Sequence, residues 1–523
     1  MKVVSGKTMQ EIDRRAIKEF GIAGLTLMES AGRGCADAII DAYGNSPVRT
    51  AVVFAGKGNN GGDGYVIHRL LSERGWEVTS VVLATRDEIS GDAAVNLDRL
   101  PESEVCYCRD SCLLATLAQV VSCATVIVDA LFGTGLGSEV SGLYAEAIEM
   151  INASGRPVIA VDIPSGVAAA DGSILGAAVR ADLTVTFAMP KFGHVLFPGA
   201  AKVGRLQVVD IGIPPQVMDE APGSGFFDLA AARDLLRPRD RQAHKGSFGH
   251  LLIIAGSTGK SGAAAMAANS AVRAGAGLVT LAAPATLNPI LEIKTTEAMT
   301  LPLPDGGEGY LGPIALDAAL AAVRGKDAVA MGPGLSWKLV TVDLVRSLLA
   351  ALEPPLVIDA DALNIISDDP DILLRRKAGT VILTPHPGEM ARLAGITIAQ
   401  VEADRIGVAR AFAEKYRVYL VLKGARTLVA APDGAISING SGNPGMASGG
   451  MGDVLTGVLG AMAGQGRDPF DACRLGVFIH GLAADLVAAE KGEIGMNATD
   501  VQERLPHAFN HILTDNGIKE RLP

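Results

Sequence analysis

Thr50–Gly64 reads TAVVFAGKGNNGGDG. Its first six residues are a short, continuous apolar run, the pattern of a strand covered on both faces of a parallel sheet. Ala55–Gly64 (AGKGNNGGDG) follows, with a helical segment after it. Asn and Gly tolerate positive φ, so this loop is expected to fold tightly and aim its amides inward. Amides at the start of a helix favour a phosphate. Asp63 is placed to meet a hydroxyl or a cation. An ordinary turn needs one or two such residues, so a binding loop is the better reading. Gly56–Gly61 matches GxGxxG only weakly, and the stretch is not a Walker A loop.

The same grammar extends on both sides. Ser/Thr-x-x-Glu at Thr8–Glu11 is a capping-box pattern, with Met9, Ile12, Ala16 and Phe20 following at helical spacing. Further strands are expected at 77–84, 125–129, 157–162, 183–188 and 206–210. Two of them end in acids. Asp129 opens DALFGTGLG (129–137), and Asp162 opens DIPSG (162–166). In a doubly wound sheet, ligands sit beyond the carboxyl ends of strands. One such acid is most often a helix cap. Two, each followed by glycine beside a glycine-rich loop, point to a pocket.

Asp219–Gly225 (DEAPGSG), after Pro214-Pro215, has no periodicity and reads as a linker, set at 216–226. Beyond it the plan repeats at greater length. Strands are expected at 250–255, 278–283, 328–331, 356–359, 380–384 and 418–422. A hairpin is expected at 427–438, turning at Pro-Asp-Gly, and helices at 450–463, 470–490 and 498–513. The fold class is α/β with two domains, 1–215 and 227–523.

Asn443–Gly457 (NPGMASGGMGDVLTG) runs into an apolar helical segment. The amides of Gly449, Gly450, Met451 and Gly452 would form an anion hole for a transferring phosphoryl group. Asp453 follows at once, placed to deprotonate an attacking hydroxyl. Gly256–Ser261 (GSTGKS) lacks the P-loop spacing, since Ile254 stands where its first glycine belongs. The Gly262-Ala-Ala-Ala run suits either tight helix packing or close approach to a ligand. His386 sits between two prolines that fix a rigid turn. Lys423–Thr427 (KGART) offers a Lys and amides to nucleotide phosphates. Asp359 and Asp361, in IDADALN, are placed to position a metal or the nucleotide.

The 523 residues are 49% hydrophobic and 20% charged, with 62 glycines, which excludes a disordered chain. The net charge is −11, with no Lys/Arg-rich run, which argues against nucleic acid. Charges interrupt Met1–Gly21, leaving no signal-peptide core. Ser111–Val128 holds Ser, Thr and Gln and reads as a helix then a strand rather than a membrane span. A soluble, cytoplasmic homo-oligomer without membrane contact is expected. Of the six cysteines, Cys106, Cys108, Cys112 and Cys123 fall close together, but their spacing matches no zinc pattern, so packing thiols are expected.

NNGGDG, DALFGTG and DIPSG, in this order, resemble the NAD(P)H-hydrate epimerase domain, as does Met9–Gly32 its opening segment. That resemblance covers about residues 1–215 and implies a Rossmann-like three-layer α/β/α fold. It implies that Asn59, Asn60, Gly61, Gly62, Asp63, Gly133, Thr134, Gly135, Leu136, Gly137, Ser138 and Glu139 hold the hydrated dinucleotide. Asn60, Asp129 and Ser165 would ligate K⁺. Asp162 would touch the substrate and relay protons for inversion at C6.

His244–Ser257, Ala271–Pro284, Met331–Gly334, DADALN, TPHPGE, KGART and NPGMASGGMGDVLTG together resemble the ADP/ATP-dependent NAD(P)H-hydrate dehydratase domain, over about 227–510. That implies a ribokinase-like α/β fold. It also implies that Ala264, Gly332, His386 and Asp453 contact the hydrated dinucleotide. Lys423, Gly424, Ala425, Arg426, Thr427 and Gly452 would contact ADP or ATP with Mg²⁺. The pair is similar to the fused NAD(P)H-hydrate repair enzymes. By that resemblance one domain interconverts R and S hydrates of NADH or NADPH. The other phosphorylates the 6-hydroxyl of the S form, with Asp453 as base, and eliminates phosphate. The rival is a ribokinase-like small-alcohol kinase fused to a non-catalytic binding module.

Overall fold

The computed structural model describes residues 1–514, so the end of the expected second domain, 515–523, lies outside the described residues. Continuous apolar runs form the strands, and the amphipathic segments between them form helices that cover both sheet faces. Two compact units result, one of Lys2–Gly223 and one beginning at Ser224.

In the first unit, helices α1 (Gly6–Lys18) and α2 (Gly24–Tyr43) precede strand β1 (Thr50–Ala55) and helix α3 (Asn59–Ser72). Strands β2 (Glu77–Val82), β3 (Val105–Tyr107), β4 (Val126–Ala130), β5 (Val158–Val161), β6 (Leu183–Phe187) and β7 (Arg205–Val209) complete the sheet. Its order is β3-β2-β1-β4-β5-β6-β7, with every pairing parallel. Met9, Ile12 and Ala16 of α1 join α2, α3 and one sheet face in a core cluster, while Val52, Phe54 and Ile127 face a second cluster. This is a three-layer arrangement. The chain leaves β1 and β4 in opposite directions along the sheet. That switch point opens a crevice at their carboxyl ends.

The second unit contains β8 (Ser224–Phe227), β9 (His250–Ile254), β10 (Leu278–Pro284), β11 (Met299–Leu303), β12 (Ala328–Met331), β13 (Leu356–Ile358), β14 (Val381–Leu383), β15 (Tyr419–Leu422), β16 (Leu428–Ala430) and β17 (Ile436–Asn439). They run in the order β8-β17-β16-β15-β14-β13-β12-β9-β10-β11. From β11 to β15 the pairing is parallel and repeats the winding of the first sheet, with its switch between β9 and β12. The expected hairpin supplies the two antiparallel pairings, β15–β16 and β16–β17. Helices α4 (Ser261–Arg273), α5 (Pro387–Ala394), α6 (Met451–Gly464), α7 (Pro469–Lys491) and α8 (Ala498–Leu513) include the three terminal helices expected. Helices α4 and α6 pack so closely that a Cβ on Gly457 would lie 2.1 Å from the Ala267 carbonyl oxygen. Of the alanine run, Ala264 and Ala265 lie in the core cluster that α4 and α6 share.

Several local expectations change. Ser5, not Thr8, caps α1, its Oγ accepting the Thr8 N–H at 3.0 Å, and Phe20 lies outside the helix and exposed. Residues 216–226, read as a linker, contain a helix at Pro215–Glu220 and most of β8. Ser111–Val128 forms two short helices, Ser111–Thr116 and Ala118–Cys123, and then enters β4. Among the described residues, Pro469–Lys491 alone is long and apolar enough to cross a membrane, with 67% of that window buried inside the protein. All six cysteines are free; Cys112 and Cys123 are exposed.

The NNGGDG stretch needs the largest correction. It is not a loop but the first turn and a half of α3, which Gly58 caps. None of Gly56, Gly58, Gly61, Gly62 or Gly64 has a positive φ. What these positions need is the absence of a side chain. A Cβ on Gly61 would lie 2.0 Å from the Gly56 carbonyl oxygen, and one on Gly64 would lie 2.8 Å from Ala130 Cβ. Gly61→Ala is expected to cost about 2 kcal/mol or more by overpacking against backbone. A lowered melting transition would show this, and a melting curve matching the parent would refute it.

Candidate functional site

The carboxyl edge of the first sheet collects the candidate residues of that unit. Asn60 and Asp63 lie on the first turns of α3, and each is no more than 9% exposed. Asn60 Nδ2 is buried with no hydrogen-bond partner, and a Cβ on Gly133 would lie 3.2 Å from Asn60 Oδ1. Asp129, fully buried in β4, accepts Ser165 Oγ–H at 2.6 Å on Oδ1 and Ser165 N–H at 2.8 Å on Oδ2. Burial pushes Asp129 up to about 6, against the lowering effect of these bonds. The Ser165 Oγ also accepts the Phe132 N–H at 2.9 Å. Asn59 is exposed, and Gly133, Thr134, Gly135, Leu136, Gly137, Ser138 and Glu139 form a partly exposed connection without helix or strand. The N-terminus of α1 abuts it: a Cβ on Gly6 would lie 3.0 Å from the Thr134 carbonyl oxygen.

Asp162 ends β5 with φ +65, outside the usual range for its type, and the turn is closed by Ile163 N–H to Val161 O at 2.8 Å. Strain of this kind persists where the surroundings over-determine it. Here they do. Lys191 Nζ donates to Asp162 Oδ1 at 2.6 Å and Thr186 Oγ1 donates at 3.0 Å. His194 Nδ1 accepts the Lys191 N–H at 2.9 Å, which leaves its Nε2–H to donate to Asp162 O at 2.8 Å. Burial, then the Lys191 charge, holds His194 down to about 3, so it is neutral. Lys191 is itself 1% exposed. Burial alone would raise Asp162, but the Lys191 ammonium outweighs it and holds the carboxyl below its usual range. Asp63 is driven the other way, well up, by burial and then by the charges of Asp162 and Asp13. Asp13, on α1, is raised by burial to about 6. Carboxyls pushed in opposite directions are the pattern expected of an acid–base pair.

In the second unit, Asp453 sits in the first turn of α6, and Gly450 caps that helix with φ +89. A Cβ on Gly449 would meet nothing within 4 Å, so this end of α6 faces open space. Burial, then the charge of Asp359, lifts Asp453 to about 7, against Lys423. Asp359 is buried, with Lys423 Nζ on Oδ1 at 2.8 Å and Thr456 Oγ1 on Oδ2 at 2.6 Å. Burial would raise Asp359, and Lys423 outweighs it. Gly332 has φ +134, and a Cβ there would lie 1.8 Å from the Asp359 carbonyl oxygen. His386 caps α5, its Nδ1 accepting Gly388 N–H at 3.0 Å and Glu389 N–H at 3.3 Å. That leaves Nε2–H, which lies 3.5 Å from Glu389 Oε1. Burial, then Lys423, lowers the ring's pKa.

Not every candidate faces an open site. Ala264 is fully buried in the core cluster shared by α4 and α6. Lys423 points at Asp359 and lies 3.4 Å from where a Gly452 Cβ would be. The Arg426 side chain turns away, donating to Gly440 O at 2.7 Å and lying over the Phe226 ring. Gly424 has φ +143, and the Thr427 hydroxyl donates to Gly424 O at 3.1 Å. Arg405 Nη1 donates to Ala425 O at 2.7 Å from behind, so the KGART turn presents backbone rather than its own arginine.

Comparison with known proteins matches both domains. A family model described as NAD(P)H-hydrate dehydratase matches residues 251–507, and one described as YjeF-related protein N-terminus matches 24–193. A Moorella thermoacetica protein named bifunctional NAD(P)H-hydrate repair enzyme Nnr is 43% identical over 98% of this chain and 97% of its own. This chain belongs to the bifunctional NAD(P)H-hydrate repair enzyme family. Its Escherichia coli relative of the same name is 36% identical over 97% of this chain and 94% of its own. A Bacillus subtilis ADP/ATP-dependent NAD(P)H-hydrate dehydratase, co-crystallised with ATP and Mg²⁺, is 30% identical with a TM-score of 0.49, covering 55% of this chain and 99% of its own. Membership of the repair family upholds the expectation of a two-domain α/β enzyme with a ribokinase-like second domain, and it disfavours the kinase with a passive module.

Within this repair enzyme, several site residues escaped the sequence reading. Lys191, Thr186 and His194 fix Asp162; Thr456, Glu389 and Lys260 surround Asp359 and Asp361. Asp485 holds the NPGM turn through the Gly442 N–H at 2.8 Å and Asn443 Nδ2 at 2.9 Å. A signal existed for Lys191, a lone charge inside the apolar run FAMPKFGHVLF (187–197).

Proposed function

We propose that residues 1–215 interconvert the R and S hydrates of NADH or NADPH, and that residues 227–523 dehydrate the S form with ADP or ATP. The observation that carries the second reading is Asp453. It is a carboxyl poised near 7 beside the open N-terminus of α6. A general base works best near the operating pH. Asp453 takes the proton of the 6-hydroxyl, whose oxygen then attacks the terminal phosphoryl group. The amides of Gly449, Gly450, Met451 and Gly452 accept the charge that develops. Loss of phosphate from C6, with a proton from C5, restores the C5–C6 double bond. His386 and Gly332 bound the hydrated ring's side, and Lys423–Thr427 with Gly452 the nucleotide's side.

In the first unit, Asp162 is the carboxylate that accepts a proton near C6 and Asp63 the acid that returns one. Asn60, Asp129 and Ser165 supply amide, carboxylate and hydroxyl oxygens, a hard donor set that suits K⁺. Bound K⁺ would supply positive charge at this site. Among the described residues no three His, Cys, Asp or Glu side chains are grouped to hold a metal. That suits Mg²⁺, which binds through nucleotide phosphates and one or two carboxylates. Asp359 and Asp361, whose charges act on Asp453, are the carboxylates proposed for this role. Mg²⁺ would neutralise charge on the transferring phosphoryl group. The reading extends to a cytoplasmic homo-oligomer acting on small molecules, without nucleic acid or membrane as partner.

The test follows absorbance recovery at the reduced-nicotinamide band. Protein, Mg²⁺, K⁺ and a mixed hydrate are combined with ADP, with ATP, or with neither. Full recovery with one nucleotide is expected and names the donor. Recovery that halts at the S fraction would remove the epimerase assignment, and none with either nucleotide would remove the dehydratase assignment.

A further inference from the structure

The connection after β12 carries an aromatic side chain that no role above uses. Trp337 is 58% exposed, yet its indole is not loose. Its Nε1–H donates to Asp361 Oδ1. The same carboxylate receives the Ser336 N–H at 2.8 Å and Lys260 Nζ at 2.8 Å, both on Oδ2. Ser336 has φ +83, a conformation that a side-chain-bearing residue rarely holds without such anchoring. Gly334 is fitted against Lys260, its Cβ position 2.8 Å from Lys260 Cβ, and Gly334 O accepts Ser257 Oγ–H at 2.7 Å. The segment Gly334–Trp337 is thus fixed on both sides, by the β9 connection and by Asp361. It holds an indole by its edge and leaves much of the ring uncovered.

The position of this ring is informative. Asp361 is two residues from Asp359, and a Cβ on Gly452, the neighbour of Asp453, would lie 3.6 Å from Asp359 Oδ2, so the anchor borders the reaction centre. Along the sheet the order is β15, β14, β13, β12, β9. Lys423 ends β15, and Asp359 follows β13. Trp337 follows β12, on the far side of Asp359 from the KGART turn. It follows the same strand as Gly332, which the reading above places on the hydrated dinucleotide's side of the reacting atoms. A hydrated nicotinamide has two tetrahedral ring carbons, stacks poorly, and must reach Asp453. The planar group left over on that substrate is its adenine.

We propose that Trp337 is a specificity-determining stacking platform for the adenine of the hydrated dinucleotide in the dehydratase site, held in place by Asp361. This rests on the dehydratase reading above. Base-on-aromatic stacking accounts for sequence-tolerant nucleotide affinity elsewhere, and here it would favour dinucleotide over mononucleotide hydrates.

The test compares S-hydrates of NADH and of reduced nicotinamide mononucleotide, which lacks adenine. Trp337→Ala is expected to raise KM for the dinucleotide hydrate about tenfold, leaving kcat, the KM of ADP or ATP, and the KM of the mononucleotide hydrate unchanged. Trp337→Phe, which keeps a ring but loses the Nε1–H, is expected to recover most of the dinucleotide affinity. Equal effects on both hydrates, an altered nucleotide KM, or Phe as poor as Ala would overturn the proposal; the last would mean that the indole acts only through Asp361. A change of oligomeric state on Trp337→Ala would overturn it too, by assigning the exposed Trp337–Leu339–Val340 strip to a subunit contact. The intact enzyme offers a second readout. Of its two tryptophans, Trp76 is 5% exposed, so quenching by NAD⁺ but not by nicotinamide mononucleotide reports on Trp337. Equal quenching by both would count against adenine. No turnover of either hydrate by the parent enzyme would instead refute the dehydratase reading itself.

Discussion

Asp453→Asn is expected to lower nucleotide-dependent dehydration by about 10²- to 10⁴-fold, the range general-base catalysis supplies. The asparagine keeps the shape and the place in the first turn of α6 but cannot take the 6-hydroxyl proton. KM for hydrate and nucleotide should therefore change little. The pH profile gives a second check on the same group. Asp453 is raised to about 7, by burial first and the Asp359 charge second. The base must be unprotonated to act. Dehydration should thus fall with pH below about 7, tenfold per unit, and level off above it. Asp359→Asn removes one of the charges that lift Asp453, so the inflection should move down. An unchanged profile in Asp359→Asn would detach the inflection from Asp453. Epimer exchange, run by the other unit, should proceed normally in Asp453→Asn. A loss of both activities would mean that the substitution unfolds the chain rather than removing a base.

The strands were legible because parallel strands buried on both faces must be continuously apolar, and TAVVFA, TVIVD or HLLIIA can be little else. The strands that went unread lack that pattern. Met299–Leu303 and Val105–Tyr107 are partly exposed edge strands, and Ser224–Phe227 begins with Ser-Gly after a proline. The acids at strand ends were legible for a similar reason, since a charge that closes an apolar run has few structural uses. NNGGDG was recognised as special on mistaken grounds. Its glycines relieve contacts with Gly56, five residues before Gly61, and with Ala130, distant in the pattern but adjacent in space, and not backbone torsion. Partners of the acids were harder still. Lys191 lies 29 residues from Asp162, on the connection after the neighbouring strand, and meets it only once the two strands pair. Trp337 and Asp361 present the same problem. Single-chain periodicity reports which face a residue takes, not which distant side chain it will find there.

Lys191→Met should do more than weaken an ion pair. In the parent, Lys191 Nζ sits 2.6 Å from Asp162 Oδ1 and 2.9 Å from Thr186 Oγ1, with the lysine 1% exposed. Methionine fills similar space but leaves Asp162 buried without its cation. Breaking a buried pair on one side costs about 3–5 kcal/mol, because the remaining charge stays uncompensated. Asp162 has an escape, which is to take up a proton. Burial already favours that form, and Lys191 is the main influence that holds it off, with the Thr186 hydrogen bond adding to it. The variant should therefore melt lower and carry a neutral Asp162, unable to accept a proton near C6. Epimer exchange should disappear, and recovery from a mixed hydrate should stop at the S fraction while dehydration continues. Lys191→Met with Asp162→Asn separates the two effects. With neither charge present, much of the stability should return, and epimer exchange should not. If the double variant regained exchange, Asp162 would not be the proton acceptor. If Lys191→Met alone kept full exchange, the pair would be a structural tie and the acid–base work would rest with Asp63 and Asp13.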